Sequence, residues 1–111
     1  MKVELNFNLN EKSPNGRIYD KQQMIEQLES KISENKLFVY SCDPFDLSNM
    51  VGRVTSYEEK DGKVLIEIDS TNKLVENLIT QNTKITTAGI GEIIDSLVKN
   101  FELTSLYLVN E

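Results

Sequence analysis

Apolar and polar residues alternate at the start of the chain. Every second position from 3 to 9 is apolar, and these positions are Val3, Leu5, Phe7 and Leu9. A period of two places such side chains on one face of a strand, so the pattern predicts an opening strand with one buried face. The turn-forming residues from 13 to 16 end this strand.

The next pattern has the period of an amphipathic helix. Good helix formers run from Lys21 to Lys36, and Asp20 directly before them is a suitable N-cap. The apolar positions are spaced by three and four, namely Met24, Ile25, Leu28 and Ile32. We therefore expect a helix that buries this face.

Most of the remaining chain predicts strands. Leu37 to Tyr40 is a short apolar run typical of a buried strand, and Asp61-Gly62 predicts a hairpin turn between two alternating segments. Those segments are 50–57 and 63–69, and further strands are expected over 84–89 and 101–109. Ser70 or Thr71 can cap a second short helix, in which Leu74, Val75, Leu78 and Ile79 face inward. The stretch from Glu92 to Val98 fits either a helix or a strand.

The length and this order of elements predict a single α+β domain over residues 1–111. Its sheet is mainly antiparallel and is accompanied by two helices. No apolar run reaches the length of about 18 residues that a membrane helix needs. The alternating N-terminus does not resemble a signal peptide, so we expect an intracellular protein with no membrane partner.

The composition excludes several kinds of chemistry. The chain has no histidine, so it lacks the base of a Ser-His-Asp or Cys-His site and any imidazole ligand for a metal. Its single cysteine, Cys42, can form neither an internal disulfide nor a thiolate zinc cage. With 12 basic and 18 acidic residues the net charge is −6, which argues against a nucleic-acid partner.

The remaining polar clusters favour structural roles. Cys42 has no base beside it and is expected to be a partly buried structural thiol. Glu58-Glu59 and Asp61 form an acidic group at a hairpin tip, where solvated surface is the usual role.

Two further groups are equally weak candidates for a site. Asp43 and Asp46 lack the regular spacing of a calcium loop. Gly89-Ile90-Gly91 predicts a bulge or a close backbone approach and not a phosphate loop. We therefore predict no catalytic residue, no cofactor and no metal site.

One combination of motifs resembles a known family. Asn15-Gly16-Arg17-Ile18-Tyr19 stands directly before the amphipathic helix and is followed by the Asp43-Pro44 turn. The Asp61-Gly62 hairpin, a Gly-x-Gly at Gly89 and a closing Phe-x-Leu at Phe101 complete the order. This order is similar to that of the prohead (capsid maturation) proteases of tailed phages, relatives of herpesvirus assemblin. The resemblance implies a protease-like partial barrel, and it favours a strand over Glu92–Val98 paired with 101–109 across Lys99-Asn100.

The catalytic positions of that family are not matched here. The resemblance places its histidine at Asp43 and its serine at Thr86 or Thr87. Its arginine falls on Ala88, and the acidic residue of the last strand falls near Tyr107. Because a serine protease needs a base, the resemblance implies a degenerate member that is not an enzyme.

The sequence thus leads to a phage structural or assembly protein that binds proteins through a degenerate protease-like site. Capsid component, tail component and assembly chaperone all remain open, as does self-association, and the expected location is the virion or the host cytoplasm. The predicted protein-binding positions are Asp43, Thr86, Thr87, Ala88 and Tyr107. One alternative is a small acidic phage or mobile-element inhibitor of a host protein. Another is a metal-dependent enzyme that uses Asp43, Asp46 or the cluster from Glu58 to Asp61.

Overall fold

The computed structural model of the chain describes residues 1–42, 47–70, 76–77 and 79–110. This part of the chain forms a curled sheet of seven strands and one α-helix. The elements in chain order are β1 Lys2–Glu4, β2 Ile18–Tyr19, α1 Lys21–Ser33, β3 Phe38–Tyr40, β4 Met50–Lys60, β5 Lys63–Ser70, β6 Thr83–Ile94 and β7 Leu97–Asn110. A short 3₁₀ turn, Leu47–Asn49, precedes β4.

The strands follow the order β1-β5-β4-β3-β7-β2, and β6 pairs with β7 along the other edge of β7. Most neighbours are antiparallel, whereas β2 and β3 both run parallel to β7. Leu5, just after β1, bridges Ile85 of β6, and Asn6 N donates to the Ile85 carbonyl at 2.8 Å. The sheet therefore curls until its ends meet, which confirms the predicted α+β partial barrel.

The buried side chains form one cluster inside this curl. The four alternating residues at the start of the chain are all buried as predicted, although only Lys2–Glu4 forms a strand. The cluster also takes in residues from the helix and from every long strand, including Met24, Leu28, Leu37, Val39, Val54, Ile66, Ile85, Leu103 and Leu106. One continuous cluster is the packing expected of a single domain.

Helix α1 begins at its predicted cap. The Asp20 carboxylate accepts a hydrogen bond from Gln23 N at 3.0 Å, and Asn10 Oδ1 accepts one from Lys21 N at 2.9 Å. Two backbone donors that the helix itself cannot pair are thus satisfied. The helix ends at Ser33, earlier than predicted, because the chain turns through a positive φ of 57° at Asn35.

The β4–β5 hairpin is also confirmed. Asp61 and Gly62 have φ angles of 53° and 88° and place Lys60 opposite Lys63. Aspartate and glycine tolerate this conformation better than other residues do. The buried strand predicted from Leu37 is present as β3, with Leu37 and Val39 fully buried.

The predicted turn of the last hairpin was wrong. Residues 92–94 and 97–98 are strand, as the resemblance implied, but the chain reverses at Asp95 and Ser96 and not at Lys99-Asn100. Both turn residues have positive φ, 50° and 73°, and join Ile94 to Leu97 as a cross-strand pair. Asn100 also has a positive φ, but it lies within β7, beside a shift of register.

The second predicted helix lies largely outside the described residues, because 71–75 and 78 are not among them. Of the described residues in that predicted segment Glu76 is helical, and α1 is the one α-helix that is described in full. No helix within it is long and apolar enough to span a bilayer.

Candidate functional site

A cleft of about 360 Å³ lies between the segment 15–19 and the β6–β7 hairpin. It is lined by Asn15, Arg17, Tyr19, Thr86, Thr87, Ala88, Gly89, Gly91, Ile93, Val98, Phe101 and Tyr107. A smaller cavity of about 200 Å³ adjoins it and shares Tyr19, Thr86 and Tyr107. We call the larger space the cleft throughout.

The sheet register brings the predicted site residues together. Thr86 stands opposite Tyr107 in the β6–β7 ladder, and Thr87 and Ala88 follow Thr86 along β6. All of them line the cleft. Asp43, the remaining predicted position, lies outside the described residues.

The other wall of the cleft is the motif that carried the family resemblance. Asn15, Arg17 and Tyr19 line the cleft, although the sequence analysis assigned them no role in a site. No local pattern marks them as functional, because it is the long-range pairing of β2 with β7 that brings them to β6.

Hydrogen bonds hold this wall in place. Ser13 N donates to the Arg17 carbonyl at 2.7 Å, and Gly16 N donates to the Ser13 carbonyl at 2.8 Å. Gly16 has a φ of 80°, which suits glycine in such a turn. Ile18 N donates to the carbonyl of Ser96 at 2.7 Å and so fastens the segment to the hairpin.

Aromatic packing fixes the end of the same wall. The Tyr19 ring lies between Phe7, at a centroid distance of 4.8 Å, and Phe101, at 5.3 Å. Tyr19 and Phe101 meet edge to face, a favoured geometry for aromatic pairs. Tyr19, at this end of the wall, is therefore packed into the hydrophobic core.

Two glycines on the hairpin side of the cleft lie too close to neighbouring groups to carry a side chain without some movement. A Cβ at Gly89 would lie 2.6 Å from Phe101 Cε1, and one at Gly91 would lie 3.0 Å from a methyl group of Val98. The register of the ladder shifts beside each glycine. The prediction of a bulge or close backbone approach at Gly89-Ile90-Gly91 is thereby confirmed.

The threonines have no base in the described part of the cleft. Arg17 is the one charged side chain among the described lining residues, and a guanidinium can donate but not accept a proton. Thr87 Oγ1 is buried, and none of the described residues accepts or donates a hydrogen bond there. Among the described residues that line the cleft, none is hydrogen-bonded to the Thr87 hydroxyl as a base would be.

The glutamates of the acidic cluster at the β4–β5 hairpin form ion pairs with two different lysines. Glu58 pairs with Lys2 at 2.7 Å, and Glu59 pairs with Lys21 at 3.0 Å. The hydrogen bond from Lys21, together with one from Gly62 N, lowers the pKa of Glu59. Among the described residues no three cysteine or carboxylate side chains come close enough together to hold a metal ion. Asp43 and Asp46 lie outside that part of the chain.

The prediction for Cys42 was wrong in one respect. The thiol is exposed and not partly buried, because Cys42 follows the end of β3, where the chain has left the sheet. Asn49 Nδ2 lies 3.4 Å from its sulfur.

The structure resembles that of a capsid protease. Over 99% of this chain and 81% of the other, it superposes on the bacteriophage T4 capsid assembly protease, gp21, with a TM-score of 0.75 and 16% sequence identity. The prohead-protease-like fold expected from the sequence is therefore confirmed. No protein-family profile matches the sequence, and no curated protein sequence does.

Proposed function

We propose that this protein acts in phage assembly by binding a segment of another virion protein in the cleft, without cutting it. One solved structure similar to this chain is a capsid assembly protease, and the similarity extends over 99% of this chain. Fold alone does not determine function, so the proposal depends on what the cleft contains.

The observation that carries the proposal is the composition of the cleft. The resemblance places the nucleophile of the protease family at Thr86 or Thr87, both of which line the cleft together with Arg17, and the chain of 111 residues contains no histidine. A serine protease needs a base to remove the hydroxyl proton and donors to stabilise the oxyanion. The cleft offers room for a peptide segment, and the sequence contains no histidine to act as the base for its hydrolysis.

The lining of the cleft suits a peptide segment. Tyr107 is half-buried and lies beside small residues of β6, whereas Tyr19 and Phe101 support the cleft from the core and are only 7% and 6% exposed. Tyrosine and arginine are enriched where proteins meet. An extended segment that lies along β6 would contact Tyr107 and would reach Arg17 on the opposite wall.

Co-expression with the head and tail proteins of the encoding phage tests the proposal. We expect affinity capture of this protein to retain one of them intact, with no new fragment in mass spectrometry. Arg17→Gln should weaken the capture, because it removes the charged group of the described lining. Lys60→Gln is the matched control, since it removes an exposed positive charge from the remote β4–β5 hairpin.

Three results would overturn the proposal. Specific cleavage of a captured protein that is lost in Thr86→Val or Thr87→Val would show an active protease. Capture of a host protein with no virion protein retained would support the alternative, an inhibitor of that host protein. Equal capture by the wild type and Arg17→Gln would show that a partner binds outside the cleft.

A further inference from the structure

The β6–β7 hairpin carries an open strand edge away from the core. The outer edge of β6 from Gly89 to Ile94 is exposed at every position, and no described strand pairs with it there. We call residues 89–101 of this hairpin the arm. An unpaired edge of this length presents backbone donors and acceptors to any strand that can lie beside it.

The neighbouring edge, that of β7, is covered. Strand β2 pairs with Leu97 and Val98, and β3 pairs further along at Leu106 and Tyr107. Between them α1 supplies side-chain amides, and Gln27 Oε1 accepts a hydrogen bond from Leu103 N at 3.0 Å. Gln23, with its amide oxygen turned towards the strand, accepts from Asn100 N at 3.1 Å and from Phe101 N at 3.3 Å. Within the arm, the outer edge of β6 lacks such cover among the described residues.

The open edge is also apolar. Ile90, Ile93 and Ile94 are 70%, 50% and 52% exposed, and they account for most of the large exposed apolar side chains of the described residues. Edge strands usually avoid self-pairing by charges, proline or bulges, and this edge has Glu92 and the shifts of register beside Gly89 and Gly91. Its three exposed isoleucines are nevertheless typical of an interface.

We propose that the outer edge of β6 pairs antiparallel with the same edge of a second copy of this chain. The proposal does not require the ligand of the cleft, although Gly89 and Ile93 of the arm also line the cleft, so that a second copy and a bound segment would share part of one surface. A two-fold axis at Gly91 would place Ile90 opposite Glu92 of the second copy and Gly91 opposite itself. The two Glu92 carboxylates would then not be direct cross-strand partners, a pairing that is unfavourable for like charges.

The charge distribution favours the outer edge of β6 as the contact surface between two copies. Each chain has a formal net charge of −6, so most surfaces of two copies repel each other. Glu92 is the one charged residue between Gly89 and Ile94, and its cross-strand partner in β7 is Lys99. The negative charge of the edge is thus compensated on the same hairpin.

Shape favours the same register. Ile93 shares the cleft face of the arm with Gly89, where the Phe101 ring fills the place of the missing side chain. The register about Gly91 places Ile93 opposite Gly89 of the second copy and therefore against that ring. Ile90, on the opposite face, lies opposite Glu92 of the second copy, and the two Ile90 side chains are diagonal neighbours across the axis.

The oligomeric state in solution tests this interface. We expect sedimentation equilibrium to show a monomer–dimer equilibrium, and Ile90→Glu to raise the dissociation constant by about tenfold or more, because the new carboxylate would lie opposite Glu92 of the second copy. Thr55→Glu is the control, because it adds the same charge at an exposed position of β4, away from the arm. A wild type that stays monomeric at millimolar concentration, or a dimer unaffected by Ile90→Glu, would overturn the proposal.

Disulfide trapping tests the register. In a Cys42→Ser background, a mixture of Ile90→Cys and Glu92→Cys chains should oxidise mainly to the mixed dimer, since directly opposite cysteines have the spacing a disulfide needs. Equal yields of all three possible dimers would contradict the two-fold axis at Gly91. Because none of these changes removes Arg17, Thr86 or Thr87, failure here leaves the proposed cleft ligand to be judged by its own capture experiment.

Discussion

The ring of Phe101 occupies the space that a side chain at Gly89 would need. An ideal Cβ at Gly89 would lie 2.6 Å and 2.7 Å from two ring carbons and would also collide with the Glu102 carbonyl oxygen. Since Phe101 also packs on Tyr19, this contact connects the arm to the wall of the cleft. Because residue 89 has no side chain, the arm can pack closely against the Phe101 ring.

Gly89→Ala should therefore destabilise the protein. The carbonyl of Glu102 belongs to the backbone and cannot move as a flexible side chain can, so we expect a loss of about 1–3 kcal/mol in the free energy of unfolding. Urea denaturation measures it. Gly91→Ala is the control with a smaller expected loss, because its nearest neighbour is a methyl group of Val98 at 3.0 Å. Equal stability of Gly89→Ala and the wild type would contradict the contact.

Gln27→Ala should weaken the covered edge of β7. It removes the acceptor of Leu103 N, and an unpaired donor in a partly buried place costs about 1–3 kcal/mol. Hydrogen exchange at Leu103 should become faster, which localises the effect. Gln22→Ala is the control, since Gln22 makes only an exposed contact with Glu26 at 3.4 Å. Unchanged exchange at Leu103 would show that water replaces the glutamine without cost.

Asp20→Ala should destabilise the start of α1. The lost cap leaves Gln23 N without its acceptor, which costs about 1 kcal/mol. Asp20→Ser is the control that keeps a capping oxygen and should recover most of the stability. Thermal unfolding of the two variants compares them, and equal losses would exclude capping as the cause.

Local patterns predicted the elements whose signal lies within a few residues. Period two at Val3 to Leu9, the spacing of Met24 and Leu28, and the Asp61-Gly62 turn all correspond to observed features. The turn at Asp95-Ser96 was not predicted, because neither residue is a glycine and both take positive φ only in the finished hairpin.

The cleft could be predicted only in part. The resemblance placed Thr86 and Tyr107 in a site, and their cross-strand pairing does bring them together. Arg17 reaches the same site through the parallel pairing of β2 with β7, about eighty residues further along the chain. Contacts of that kind leave no periodic signal in a sequence.

The stability of the protein should fall between about pH 10 and pH 12 because of Tyr57. Burial, followed by the 2.6 Å hydrogen bond to Glu29, raises the pKa of Tyr57 from 10.0 to about 12. The folded state therefore holds the phenolic proton more tightly than the unfolded state does, and the stabilisation is complete below pH 10 and is lost as the pH rises through 12. Urea denaturation at several pH values should give a steeper decline for the wild type than for Tyr57→Phe. Parallel declines would show that Tyr57 ionises at its ordinary pKa.

Thr87→Val should leave the protein as stable as before or make it more stable. Thr87 Oγ1 is buried without a hydrogen-bond partner among the described residues, and replacing such a hydroxyl by a methyl group of similar shape removes a desolvation cost of about 1 kcal/mol. Thr104→Val is the matched control, because Thr104 Oγ1 donates to the Ala88 carbonyl at 3.0 Å, and its loss should be neutral or slightly destabilising. A Thr87→Val variant less stable than Thr104→Val would show that the Thr87 hydroxyl has a partner in solution. The argument that nothing activates the Thr87 hydroxyl would then fail, and Thr87 would have to be tested as a nucleophile.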